Sequence, residues 1–305
     1  MISFRYHLVT IVAVFLALAL GVLAGTTVIK SGLVTTLKNN TRNLEAQVHD
    51  AQTLISQLDE VRDATSQWLI PTLLVGQKAI VVTDDKSDPA GARNAADVLT
   101  QAGANVDSMT VTSLLRSPSD SGPLADTLCV SRDTPQPTLV GIASTQLADR
   151  LSRGAAGFSR PTCPPGTPDL LVSLLQQGFV TSPDVNPGDA DKVGGPGQLV
   201  VVSAGGQGTP GVPITTFMEP LVNQFVQDGN LTAAVETKGT QLHPFVPLIR
   251  SDPNLPREHL VTVDDMEQKE GRLALALGFA RMIRGGSGGD YGSKPGADAF
   301  VPLSP

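Results

Sequence analysis

The most regular hydrophobic run in the chain is its first. Leu8 to Ile29 reads LVTIVAVFLALALGVLAGTTVI, with no charge and no polar side chain except threonine. Wound as a helix, it reaches about 33 Å, enough to cross a hydrocarbon core of roughly 30 Å. Arg5 precedes the run and Lys30 follows it. That balance predicts residues 1–7 in the cytoplasm, a span over 8–29 and everything after it outside, as a single-pass protein of the cell membrane. A cleaved signal peptide is the alternative, with Val22-Leu23-Ala24 as its small-residue site. Within the span Ala17, Gly21 and Gly25 recur every fourth residue. This spacing lets two helix backbones approach, although glycine is also common in membrane helices.

The period then changes. Over 33–70 apolar residues fall into heptads, with Val34, Val48 and Ile55 at a positions and Leu37, Leu44 and Leu58 at d positions. Arg62 and Thr65 weaken the seam further on, and Pro71 stops the helix. Heptads of this length predict a coiled-coil stalk joining two copies; the alternative is one amphipathic helix packed on its own domain. At about 100° per residue, Gly25 lies roughly 180° from Val34. One seam therefore does not serve both segments. Either Ser31-Gly32 breaks the helix, or the glycine face meets a different partner, the reading we prefer.

From 76 to 285 the pattern alternates between short β-rich runs and helical stretches. Expected strands are Lys78 to Thr83, Val106 to Val111, Thr138 to Ile142, Gln198 to Ser203, Thr232 to Thr237 and His259 to Val263. Expected helices are Pro89 to Gln101, Thr145 to Ser152, Asp169 to Gln177, one opened by a capping box at Thr216–Glu219, and Met266 to Ile283. The alternation predicts an α/β fold, a mainly parallel sheet covered by helices on both faces. Two Gly/Pro-rich stretches, 152–168 and 181–197, read as loops. The tail 286–305 is Gly-rich, with Ala299 to Pro302 able to dock as an edge segment.

Composition narrows the classes. The 305 residues carry 22 Lys and Arg against 29 Asp and Glu, a net charge of −7, so a nucleic-acid partner is not expected. The mean hydropathy of +0.06 argues against a many-span membrane protein. Two cysteines, Cys129 and Cys163, are an even count in an exported chain and predict a disulfide worth roughly 3–4 kcal/mol; a soft-metal thiolate pair is the alternative.

Candidate chemistry is sparse. Asp84-Asp85 and Asp264-Asp265 both end predicted strands, where ligands of parallel sheets sit. Paired carboxylates there hold a divalent cation or exchange protons; otherwise they end the strand and cap the next helix, the reading we prefer. Gly206 to Gly211 matches G-x-G-x-x-G, but Pro210 and Pro213 postpone the helix that a dinucleotide needs, so a mobile loop is expected. His7, His49, His243 and His259 have no H-x-x-x-H or C-x-x-C company, and no G-x-S-x-G elbow occurs. We therefore expect no enzyme and no cofactor.

The opening Met1-Ile-Ser-Phe-Arg-Tyr-His-Leu-Val-Thr10, the run Ala19 to Gly25, the heptads after it, Gly271-Arg-Leu-Ala-Leu-Ala-Leu-Gly278 and Gly296 to Ala299 resemble the MctB family over essentially the whole chain. The resemblance implies an outer-membrane or envelope protein of copper efflux and homeostasis. Its SteB-like members imply instead a scaffold with a membrane-protein partner in cell division and cell-wall hydrolase control. It carries over no copper ligand by motif. The residues themselves favour a tethered, self-pairing interaction module, because a pore needs a closed barrel or several spans and copper(I) needs clustered soft ligands.

Overall fold

The computed structural model describes residues 4–302 apart from 88, 161, 207, 240 and 241; side chains at 4–5, 26–34, 62–63 and 65–67 also lie outside the described set, Val34 of the expected seam among them. The chain forms two units, Met1–Thr65 and Ser66–Pro305.

The first unit is almost entirely helix. Helix α1 runs Phe4–Leu69 over 66 residues, straight through Ser31-Gly32. The break considered at that dipeptide is not made. On one continuous helix the Ala17/Gly21/Gly25 face and the heptad seam keep different directions. The apolar stretch Tyr6–Gly25 is uncovered throughout, and is long and apolar enough to cross a membrane. Leu37, Leu44, Val48, Ile55 and Leu58 are each 54–61% exposed.

The second unit is α/β. Its strands are β1 (Lys78–Asp84), β2 (Asn105–Val111), β3 (Val180–Thr181), β4 (Leu199–Ser203), β5 (Thr232–Val235), β6 (Leu260–Val263) and β7 (Gly289–Tyr291). They lie in the order β3-β2-β1-β4-β5-β6-β7, all parallel except β3 against β2. Successive residues serve opposite faces, as strand geometry requires. Ile80, Val82, Val200, Val202 and Ala234 enter one core with α3 (Ser121–Leu128), α4 (Gln136–Gly157), α5 (Leu170–Gln176) and α6 (Glu219–Gln227). Ala79, Val81, Leu199, Val201, Ala233, Val235, Val261 and Val263 enter the other, with α2 (Pro89–Gln101) and α8 (Lys269–Ile283). Ile70 and Leu74 complete that second core.

Some expected elements change. Thr138 to Ile142 is not a strand but the first turns of α4, since Leu139, Val140, Ala143, Leu147 and Leu151 recur at helical spacing and are buried together. The expected capping box does not form: a π-turn at Ile214–Met218 leads into α6, whose N-terminus has no side-chain cap. The loop stretches and tail carry more order than expected. The tail supplies β7, and Ala299 pairs with Tyr291, so its end docks at the sheet edge. A further short helix, α7, covers Val246–Ser251.

Cys129 and Cys163 form the expected disulfide, with Cα atoms 5.1 Å apart, tying the end of α3 to the Pro-rich loop before α5 across 34 positions of sequence. Closing a loop of that length stabilises by about 3–4 kcal/mol through the unfolded chain. Reduction, or Cys129→Ser with Cys163→Ser, is expected to remove that amount. Urea denaturation with and without a thiol reductant measures it, and an unchanged midpoint contradicts it.

Candidate functional site

A parallel sheet delivers the carboxyl ends of its strands to one edge, where ligands of such folds bind. Here that edge carries Asp84-Asp85 after β1, Glu236 after β5 and Asp264-Asp265 after β6. The two Asp pairs do not meet. β4 and β5 stand between β1 and β6, three spacings or roughly 14 Å.

The first pair is spent on the turn that follows. Asp84 Oδ1 accepts from the backbone N–H of Lys86 and Ser87, both at 2.7 Å, and of Gly211 at 3.2 Å. Its Oδ2 accepts from Ser87 Oγ at 2.6 Å. Asp85 Oδ2 accepts from Ser113 N–H at 3.0 Å and Oγ at 2.8 Å. These bonds close the turn before α2 and hold two loops. The end of the G-x-G-x-x-G segment is one of them: Arg116 donates to Pro210 O at 2.9 Å, and a Cβ on Gly211 would stand 2.0 Å from Asp85 Oδ1. That end is docked rather than mobile, and it covers the strand ends instead of opening toward a phosphate.

The second pair belongs to a buried charge network. Asp264 is fully buried, and its Oδ2 pairs with Arg250 Nη1 of α7 at 2.6 Å, itself only 4% exposed. Arg250 spends its remaining donors on Thr262 Oγ1 at 2.8 Å and Tyr291 O at 2.7 Å. Thr262 in turn donates to Asp290 Oδ1 at 2.7 Å. The tail closes the other side. Ser293 N–H reaches Asp264 Oδ1 at 2.8 Å, and Lys294 N–H reaches Oδ2 at 3.0 Å. Lys294 Nζ pairs with buried Glu236 Oε1 at 2.7 Å, while Glu236 Oε2 accepts from Phe245 N–H at 2.7 Å. Gly292 makes the approach possible: its φ is +128°, and a Cβ would sit 2.3 Å from Asp264 Oδ1.

Asp265 is different. It is buried, and its Oδ1 has no hydrogen-bond partner. Burial, then Asp264, Glu267 and Glu270, push its carboxyl up to about 6, against a smaller opposing pull from Arg250. It is the one member of the four that keeps a proton-exchanging capacity near neutral pH.

Sequence reading found the Asp pairs but missed Glu236, Arg250, Asp290 and Lys294. Glu236 alone left a local trace, a carboxylate closing the apolar run Ala233-Ala234-Val235. Soft ligands are not assembled. The cysteines are joined, Met109, Met218, Met266 and Met282 are buried in the two cores, and among the described residues no group of three or more His, Cys, Asp or Glu is placed to hold a metal.

Two outcomes follow from this edge. Arg250→Met leaves Asp264 charged and unpaired in the interior, so a loss of about 3–5 kcal/mol is expected in urea denaturation, with faster amide exchange across 289–298. A loss below about 1 kcal/mol contradicts the pairing. Asp265 binds its proton more tightly folded than unfolded, because its pKa rises from 3.8 to about 6. Its ionisation therefore erodes stability as pH climbs through that window. Asp265→Asn is expected to match the parent near pH 4 and exceed it by about 2–3 kcal/mol at pH 7.5. A gap that does not vary with pH contradicts it.

The chain matches the family described as copper transport outer membrane protein, MctB, over residues 1–302. Copper transporter MctB of Mycobacterium bovis is 28% identical, with 97% of this chain and 98% of that protein aligned. Copper transporter MctB of Mycobacterium tuberculosis gives the same figures, 28% identity over 97% and 98%. Copper transporter MctB of Mycobacterium leprae is 27% identical over 99% of both chains. With one exposed apolar helix at its N-terminus and an α/β unit after it, matched from end to end, the chain belongs to the MctB family.

Proposed function

We propose that this protein acts in copper handling at the cell envelope as a membrane-tethered component, its N-terminus cytoplasmic and its α/β unit outside. The observation that carries the reading is the match over residues 1–302, which takes in the apolar helix, the heptads and the sheet alike.

The residues point to how it takes part. A copper(I) carrier gathers thiolate, thioether or imidazole ligands. Here both thiols are in a disulfide, and the four described methionines line apolar cores. One helix also encloses no channel by itself. These features favour action through assembly, with a second copy and with a membrane protein of the envelope, over carriage of the ion in a site of the α/β unit. No reaction is proposed for it.

Pairing of two copies is the first step of that assembly. Two chains entering one membrane by their N-termini run parallel and in register, which sets Leu37 against Leu37, and Leu44, Ile55 and Leu58 likewise. Across such a pair Asn40 faces Glu45, Gln47 faces Gln52 and Leu54 faces Asp59, so no like charges oppose one another at the flanks.

The test is copper content. Cells lacking the protein and challenged with copper are expected to accumulate more of it by elemental analysis, and the intact chain to restore the lower level. Leu37→Asp with Leu44→Asp is expected to abolish the dimer in detergent, read by light scattering, and to restore poorly. Copper content unchanged by deletion overturns the copper role; restoration by a monomeric variant overturns the assembly.

A further inference from the structure

The opposite, amino-terminal edge of the sheet holds a second polar site. A cavity of about 220 Å³ opens between the starts of β1, β2 and β4 and the segment 184–194 that crosses them. Asp107 of β2 and Asp184 of the crossing segment are two of its walls, with the amides of Asn105 and Gln198 beside them. Asp184 is fixed: its Oδ2 accepts from Ser108 N–H at 3.0 Å, and its own N–H donates to Ser182 Oγ at 3.1 Å. A third carboxylate in the wall, Asp189, is taken by Lys192 at 2.6 Å.

Two observations show this site lacking a positive charge. Burial, and then Asp184, hold the Asp107 carboxyl above its usual range, and the nearby Lys78 offsets them only in part. Independently, Gln198 is only 4% exposed, lines the same cavity, and its Oε1 accepts no hydrogen bond. A buried amide oxygen without a donor normally has a bound partner. Lys78 and Lys192 are exposed and carry their ammonium groups on flexible stems, whereas the carboxylates and Gln198 are set by the backbone.

We propose that this cavity binds a hard divalent cation, Ca²⁺ in the first instance, through Asp107, Asp184 and the side-chain oxygen of Gln198. Carboxylate and amide oxygens are the donors Ca²⁺ takes. At about 30 Å³ per water, the cavity also has room for several waters to complete six to eight ligands. Mg²⁺, which demands a tight octahedron and gives up water reluctantly, fits this roomy set less well. With two free carboxylates, the affinity falls in the range of extracellular modules, on the order of 10⁻⁴–10⁻³ M. The site is separate from the buried charge network at the carboxyl edge and does not depend on the copper role.

The test uses the full chain in detergent, stripped with EDTA and titrated calorimetrically with CaCl₂ or MgCl₂. One Ca²⁺ per chain is expected, with Mg²⁺ weaker and with a higher melting temperature in Ca²⁺. Asp107→Asn with Asp184→Asn is expected to weaken binding about tenfold or more, and Gln198→Met to weaken it as well. Far-UV circular dichroism in EDTA shows whether each variant folds. Asp184→Asn alone serves as the milder variant if the double one does not fold. A folded parent that takes up no Ca²⁺ at 10-fold above the expected range, or folded variants that bind as the parent does, overturns the site.

Discussion

A carboxylate withdrawn from water has to find a cation or a set of N–H donors, and that constraint shapes this α/β unit wherever its chain turns inward. Asp264 meets it through Arg250, Ser293 and Lys294; Glu236 meets it through Lys294 and Phe245. Arg150 meets the converse demand on the far face. Fully buried, it pairs with Asp169 at 2.7 Å and donates to the carbonyls of Ala190 and Val193. Each solution recruits a segment with little hydrophobic content of its own. The 187–193 stretch and the tail 289–298 have few apolar residues, yet both are ordered, because the interior charges bind them.

The same balance explains what could be read from the chain beforehand. Alternation in Lys78 to Thr83 and Gln198 to Ser203 announced buried parallel strands, since both faces are apolar and the runs are too short for helices. Both cysteines and the long apolar helix were equally legible, each from a local or compositional signal. Thr138 to Ile142 misled because a β-branched pair and a glycine hid a helical period that shows only over α4 as a whole. β3 and β7 escaped for another reason: two and three residues long, they are strands by position at an edge rather than by side chain. The network itself was out of reach. Arg250 and Asp264 are 14 residues apart, Glu236 and Lys294 are 58 apart, and nothing local announces that they meet.

The carboxyl edge also shows why a strand-end Asp is a weak sign of chemistry. Asp84 and Asp85 have the residue types of a cation site, yet their hydrogen bonds go to the chain's own loops. What separates a structural carboxylate from an available one is the count of donors already satisfied. By that count Asp265 stands apart at this edge, and Gln198 stands apart at the other.

The tail's place in the network has a consequence for the order of events in biosynthesis. Glu236 and Asp264 leave the ribosome well before Lys294 and Tyr291, which are among the last residues translated. Until those arrive, the earlier segment holds two interior carboxylates with part of their compensation missing. The sheet therefore closes from its last-made end. A nascent chain halted anywhere before that point remains an open, chaperone-dependent species, whereas completion of translation itself supplies the lock.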